Sequence, residues 1–420
     1  MKKVFNVKRV IFGFLIVVAL FVSIYQKNLT RLYTAITLYD KDKIANNFLS
    51  MYQSFNATVI PASTEPFYFP VEEKELPGSF EYADHILSTQ DFIEDSQTTG
   101  FLVLKDGKIV YQDYRLGHSQ DKQHISFSMA KSFVSALMGI AIKEGFVTSI
   151  EQAVNEYVPE LIGSGYEGVS IKNVLQMSSG VRFNEDYGDF NSDINRFSRA
   201  TAFGTSLDDF SASLEREREP GTYHHYVSID TQVLGMVLTR ATGKSLTDYL
   251  SEKIWQPLGM EHKAYWLADD DDMELALGGL NVTLRDYAKL GWLYLNLGQW
   301  KNAKGQIKQI IPKQWVIDST SADALHLVAG ENNPASTSSS GYGYQWWLPL
   351  NADDEFAAQG IYNQYIYIDP DKKLVIVKNS ANHRFTDKSL NWSAKHYAMF
   401  RGISAYLSKE QVMIDSSKVE

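Results

Sequence analysis

The run from His124 to Gly145, HISFSMAKSFVSALMGIAIKEG, constrains this chain more than any other. After Ser128 its residues are apolar on every side, which predicts a buried helix that Gly145 brings to a stop. Lys131 interrupts it, the first charge before Lys143. A charged amine stays in a core only when it is paired or chemically useful. Ser128 precedes it by three residues, so on a helix the two side chains share a face, with Cβ atoms roughly 5–6 Å apart. A hydroxyl and an amine then meet, and a desolvated lysine is a base able to activate a serine. Ser119 and Lys122 repeat the spacing within the polar run GHSQDKQH, where no apolar helix follows. Ser128 opens one, which sets its backbone N–H at the positive end of the helix dipole. The alternative is a helix cap at Ser128 with Lys131 snorkelling to water.

At 420 residues and 44% hydrophobic content, the chain has material for a large core and more than one domain. A formal net charge of -10 and the lack of a basic stripe argue against a nucleic-acid partner. With no cysteine, disulfides, thiol nucleophiles and thiolate zinc sites are excluded. His224 and His225 are adjacent, and in an extended chain point opposite ways, which makes a metal pair of them improbable. No cofactor or metal is called for.

The opening MKKVFNVKRV carries Lys2, Lys3, Lys8 and Arg9, and an apolar run follows from Val10 to Ile24. The run is a little short of the ~30 Å hydrocarbon core, yet it ends without the small residues of a cleavage site. The expectation is an uncleaved, single-pass anchor in the inner membrane, with the positive charges in the cytoplasm and the catalytic body on the periplasmic side. A cleaved signal peptide is the alternative.

Five segments follow: 1–26, cytoplasmic tail and membrane anchor; 27–95, a proline-rich tether and packing segment; 96–145, the first part of an α/β domain with the nucleophile helix; 146–298, a helical domain; and 299–415, the second part of the α/β domain. Asp106-Gly107 between Phe101–Leu104 and Ile109–Tyr114 predicts a hairpin. Ser170, Ser228 or Asp230, and Ser245 are positioned to open helices, with Gly180 and Gly243 after two of them. Another helix is predicted over Leu284–Leu297, and strands over Gln364–Ile368 and Leu374–Val377. The acidic run Asp269–Asp272 is most simply a solvated loop.

A Ser/Lys pair needs a second proton carrier and donors for an oxyanion. Tyr226 and Ser228 follow the Pro220-Gly221 turn, and Gly360 and Ile361 precede a strand. In order, SMAK at Ser128–Lys131, VSIKNVLQMSSGVRF at Val169–Phe183, YVS at Tyr226–Ser228, IWQPLGM at Ile254–Met260 and GIYNQYIYIDP at Gly360–Pro370 resemble the class C β-lactamase and penicillin-binding-protein superfamily of serine hydrolases. Within it, the esterase and 6-aminohexanoate-dimer hydrolase branch is the most similar.

That resemblance implies an α/β (α+β) fold of the β-lactamase/transpeptidase type, with an antiparallel sheet flanked by helices and an inserted, mainly helical domain. It implies an acyl-enzyme on Ser128, Lys131 and Tyr226 as base and acid, and an oxyanion hole from the N–H groups of Ser128 and Ile361. Tyr226 beside a cationic Lys131 is expected to lose its proton readily and serve as base. Ser228, Gly360 and Tyr187 are candidate substrate contacts, with ordinary packing the simpler role for Tyr187. Two departures matter. The tyrosine motif ends in Ser228 instead of asparagine, and around Ala358-Gln359-Gly360 no KTG lysine stands ready for a substrate carboxylate. A small-molecule ester or amide is therefore the expected substrate. A catalytically silent binding protein and a hydrolase of cell-wall peptides are the alternatives; oligomeric state is left open.

Overall fold

The computed structural model describes residues 7–202 and 205–416. Its centre is a seven-stranded antiparallel sheet, in the order Gly341–Tyr342, Trp347–Leu348, Phe356–Gly360, Gln364–Asp369, Leu374–Ser380, Thr98–Lys105, Lys108–Tyr114. The hairpin between the last two strands turns at Asp106 and Gly107, with φ of 52° and 77°. Two positive φ values in a row match the right-handed twist of the flanking strands, and Asp-Gly adopts them at little cost.

Both sheet faces are covered, and alternation along the strands shows how. Leu102, Leu104, Ile366, Ile368, Val375 and Val377 point into the larger core, against the helices Ala130–Lys143 and Leu284–Leu295. Phe101, Val103, Tyr365, Tyr367 and Ile376 point the other way, where Phe400, Ile403 and Leu407 of the helix Trp392–Ser416 close a second core. Gly291 lets the helix Leu284–Leu295 lie close to the sheet, since a Cβ there would sit 2.5 Å from Val375 Cγ1.

The helix Ala130–Lys143 is buried nearly all round and packs against Ser228–Thr242 in the helical region. Ser170 and Ser245 cap their helices, their side chains accepting from the N–H groups of Asn173 and Asp248. Gly243 ends Ser228–Thr242 in the left-handed region at φ 66°. A second, four-stranded sheet joins Ala57–Ile60, Ala264–Leu267, Leu280–Val282 and His124–Ile125. Residues ahead of the catalytic body are thus built into it.

Two expectations are corrected. The membrane anchor over Val10–Ile24 is not supported: these residues lie in a 31-residue helix, Val7–Thr37, and among the described residues no helix is long and apolar enough to cross a membrane. The apolar run gives way to Gln26-Lys27-Asn28 after about 22 Å at ~1.5 Å per residue, short of a ~30 Å hydrocarbon core. Lys2 and Lys3, expected to orient it, lie outside the described residues. Asp269, expected in a solvated loop, is buried and accepts from the backbone N–H groups of Leu207, Asp271 and Met273. Unpaired donors in that turn gain a partner only if the carboxylate folds inward.

Candidate active site

Ser128 sits in a single 3₁₀ turn, Phe127–Met129, immediately before the helix Ala130–Lys143. Phe127 holds a φ of 42°, a left-handed conformation that costs a bulky residue on the order of 1–3 kcal/mol. The surroundings impose it. Ser126 N–H donates to the Leu280 carbonyl at 2.7 Å, and Gly360 lies so near that a Cβ on it would be 2.7 Å from the Ser126 carbonyl oxygen. A glycine at 360 therefore lets the end of the strand Phe356–Gly360, and Ile361 after it, close on the serine turn. Ser128 and Ile361 line the same cleft, which sets their two N–H groups as the candidate oxyanion donors.

Lys131 occupies the first turn of the helix and is only 1% exposed. Its Nζ donates to the Leu277 carbonyl at 2.6 Å and lies 3.1 Å from Ser128 Oγ. Burial pulls its pKa down to about 7, while the more distant carboxylates of Glu185 and Asp230 act the other way. Near neutral pH a large share of this amine is uncharged. An uncharged amine at this distance has a lone pair available to a hydroxyl proton.

Tyr226 precedes the helix Ser228–Thr242, with its ring stacked on Trp347 at 5.2 Å and 5.5 Å from Lys131 Nζ. Its proton is not easily lost. Burial, then the Glu185 charge, push its pKa well above the usual phenol value, and hydrogen bonding with the hydroxyls of Ser128 and Ser228 only partly offsets this. The expectation that Tyr226 is the ready base is corrected: desolvation acts on both groups, making the amine neutral and keeping the phenol protonated.

Glu185 organises the rest. Its carboxylate accepts from Ser228 Oγ at 2.6 Å, from Ser228 N–H at 3.0 Å and from the Tyr187 hydroxyl at 2.7 Å. Ser228, standing where the resembled motif has asparagine, thus points its donor at a carboxylate of this chain. Tyr187, for which packing was the simpler expectation, lines the cleft beside Ser128 and Tyr226. Behind Lys131, Asp230 is fully buried, accepts from the Tyr166 hydroxyl at 2.8 Å and has its pKa raised to about 8 by that burial. His224 and His225 turn to different partners, Ser336 Oγ and the Phe183 carbonyl.

Sequence reasoning brought Ser128, Lys131, Tyr226, Ser228, Tyr187, Gly360 and Ile361 forward, and the fold gathers them; it missed Glu185, Asp230 and Trp347. Glu185 stands beside Asp186 in FNEDY, where nothing local separates an inward carboxylate from an outward one. Trp347 lies in the aromatic run GYGYQWW, for which core packing is the simpler reading and a pocket wall the alternative.

Comparison with known proteins agrees with this geometry. The Beta-lactamase family model matches residues 89–396. The 6-aminohexanoate-dimer hydrolase of Paenarthrobacter ureafaciens is 30% identical over 296 residues, covering 69% of this chain and 74% of that protein. The solved structure of a 6-aminohexanoate-dimer hydrolase homologue from Bacillus anthracis superposes with a TM-score of 0.78 at 25% identity, covering 89% of this chain and 96% of that one. A class C beta-lactamase shares the fold at a TM-score of 0.52 and 19% identity, over 74% of this chain and 93% of its own. A buried lysine against a serine at the head of a helix, on this fold and within this family match, makes the chain a member of the beta-lactamase family and a serine hydrolase.

Proposed function

We propose that the protein hydrolyses ester or amide bonds of small molecules through an acyl-enzyme on Ser128. Ser128 Oγ attacks the carbonyl carbon and gives its proton to Lys131 Nζ, while the N–H groups of Ser128 and Ile361 hold the oxyanion. As the bond to the leaving group breaks, Tyr226, still protonated, supplies a proton to the departing oxygen or nitrogen, and the proton on Lys131 restores it. Water then attacks the acyl carbon by the reverse sequence and frees the acid. The observation that carries this reading is the 3.1 Å contact between Ser128 Oγ and an amine whose burial makes it a base near neutrality.

The strand Phe356–Gly360 favours esters and simple amides over β-lactams. It carries no lysine, and the Gln359 amide is engaged with the Tyr397 hydroxyl at 2.5 Å. A carboxylate on the substrate lacks the cation that a KTG box supplies. Tandem mass spectrometry after treatment with a fluorophosphonate tests the assignment: the adduct is expected on Ser128 and absent in Ser128→Ala. Labelling of another serine, or none in well-folded protein, refutes it.

A further inference from the structure

Two cavities meet at Ser128, and they differ in chemistry. The first, about 780 Å³, is the cleft that Tyr226 faces; Glu81, Glu185, Asp387, Lys388 and Arg401 give it a mixed, charged lining. The second, about 710 Å³, runs from Ser128 toward the helix Val7–Thr37. Phe127, Leu277, Leu267 and Ile125 form its inner wall, and Ala35 and Ile36 of that helix form its outer one. Among the described residues no carboxylate lines it. Of its two basic side chains, Arg199 covers the Phe190 ring at 4.0 Å and His383 meets Gln97 Oε1 at 2.8 Å. Both cavities fall in the ~300–1,000 Å³ range of ligand-sized pockets.

The proton donor fixes which half of the substrate enters which cavity. Tyr226 lines the charged cleft and not the apolar cavity, whereas Ser128 and Ile361 line both. A leaving group that takes its proton from Tyr226 therefore departs through the charged cleft. The acyl group, on the other side of the attacked carbon, is left facing hydrocarbon. The far end of the apolar cavity is also rimmed by hydrocarbon: Leu32, Ile36 and Phe190 are 41%, 72% and 70% exposed. Its polar side chains are largely engaged, the Ser198 and Thr201 hydroxyls donating to the carbonyls of Ile194 and Phe197 and Asn195 Nδ2 to those of Tyr187 and Asp189, so a polar or charged acyl group would lose its hydration there for few free partners.

We propose that the preferred substrate is an ester or amide of a medium- to long-chain aliphatic acid, its chain lying between the nucleophile turn and the N-terminal helix and its polar alcohol or amine in the charged cleft. This deepens the proposed function and rests on it. The reaction is the same hydrolysis: the acyl carbon–oxygen or carbon–nitrogen bond breaks, water supplies the hydroxyl of the acid, and the leaving group takes the proton.

The test is the kcat/KM of the full chain on p-nitrophenyl acetate, butyrate, octanoate and decanoate. Each buried methylene is worth about a fourfold gain, so octanoate is expected to exceed acetate on the order of 100-fold if about half of the added chain is buried and more if all of it is. Ala35→Trp fills the cavity from the helix side and is expected to cut the octanoate-to-acetate ratio at least about tenfold. Ile36→Asp, at a 72% exposed position whose change spares the core, is expected to lower the same ratio. A flat or falling wild-type series in an enzyme that hydrolyses acetate and is labelled on Ser128 overturns this inference and leaves the proposed function standing. A ratio unmoved by both variants overturns it as well. Failure of every ester together with failure of labelling overturns the proposed function, and the inference with it.

Discussion

Lys131 and Lys289 are a natural pair for comparison. Both follow a polar residue by three positions on a helix, Ser128 and Asp286, and both are buried, at 1% and 0% exposure. Their surroundings differ. Lys289 forms ion pairs with Asp286 at 3.0 Å and Glu261 at 3.3 Å and donates to the Gly259 carbonyl. Lys131 touches a hydroxyl and a carbonyl, with Glu185 and Asp230 acting only at a distance. Burial alone therefore does not make a lysine a base. At Lys131 burial comes without a contacting carboxylate, so nothing beside the amine repays the cation's lost hydration and its pKa falls.

Exchanging each lysine for methionine separates the two roles. Lys131→Met is expected to lower kcat/KM about 10²- to 10⁴-fold, the range for losing general base catalysis, while the melting temperature holds or rises. Lys289→Met is expected to do the reverse. It strands Asp286 and leaves Glu261 only Arg285 at 3.9 Å, and should cost about 3–5 kcal/mol of stability in urea unfolding, with kcat/KM of the folded enzyme within about twofold of wild type. If both variants lose activity and stability alike, the contrast fails.

Linkage gives a smaller signal. The Lys131 pKa falls from 10.5 in an unfolded chain to about 7 when folded, so between those values the unfolded state binds a proton that the folded state lacks. Stability should rise with pH across that window, by up to ~1.4 kcal/mol per pH unit from this group, and Lys131→Met should reduce the slope. Lys378, also driven down by burial, contributes with the same sign, whereas Asp230, raised to about 8, opposes it up to that pH, so the test is the difference in slope between wild type and variant above pH 8. Smallest is the effect of Glu185→Gln on the pH–rate profile. The acid limb of kcat/KM is expected to be half-maximal near pH 7 in the wild type and to move to lower pH in the variant, because the Glu185 charge helps Lys131 keep its proton. A limb that moves to higher pH would contradict the assigned electrostatics.

Features fixed by neighbouring residues were legible in advance. The Asp106-Gly107 turn, the serine caps at 170 and 245, the Gly243 stop and the alternation in Gln364–Asp369 each follow from a few consecutive side chains. The helix Trp392–Ser416 was not read, although it covers a whole sheet face: its partners Phe101, Tyr365 and Ile376 lie elsewhere in the chain. The same limit hid Glu185, whose partner Ser228 is 43 residues away.

By itself, then, the sequence determined that a serine and a lysine would share one face of an apolar helix, since a three-residue spacing and helical geometry suffice for that. It also determined that no KTG lysine would stand beside them. Tertiary structure alone decided which buried amine would meet a carbonyl and a hydroxyl and which would form ion pairs: Leu277 and Glu261 are distant in sequence, and the environment that sets a proton's affinity is made of whatever the fold brings near. The fold likewise decided that one nucleophile would open onto two cavities, one walled in part by carboxylates and one not, because their walls are drawn from segments as far apart as Ala35 and Arg401.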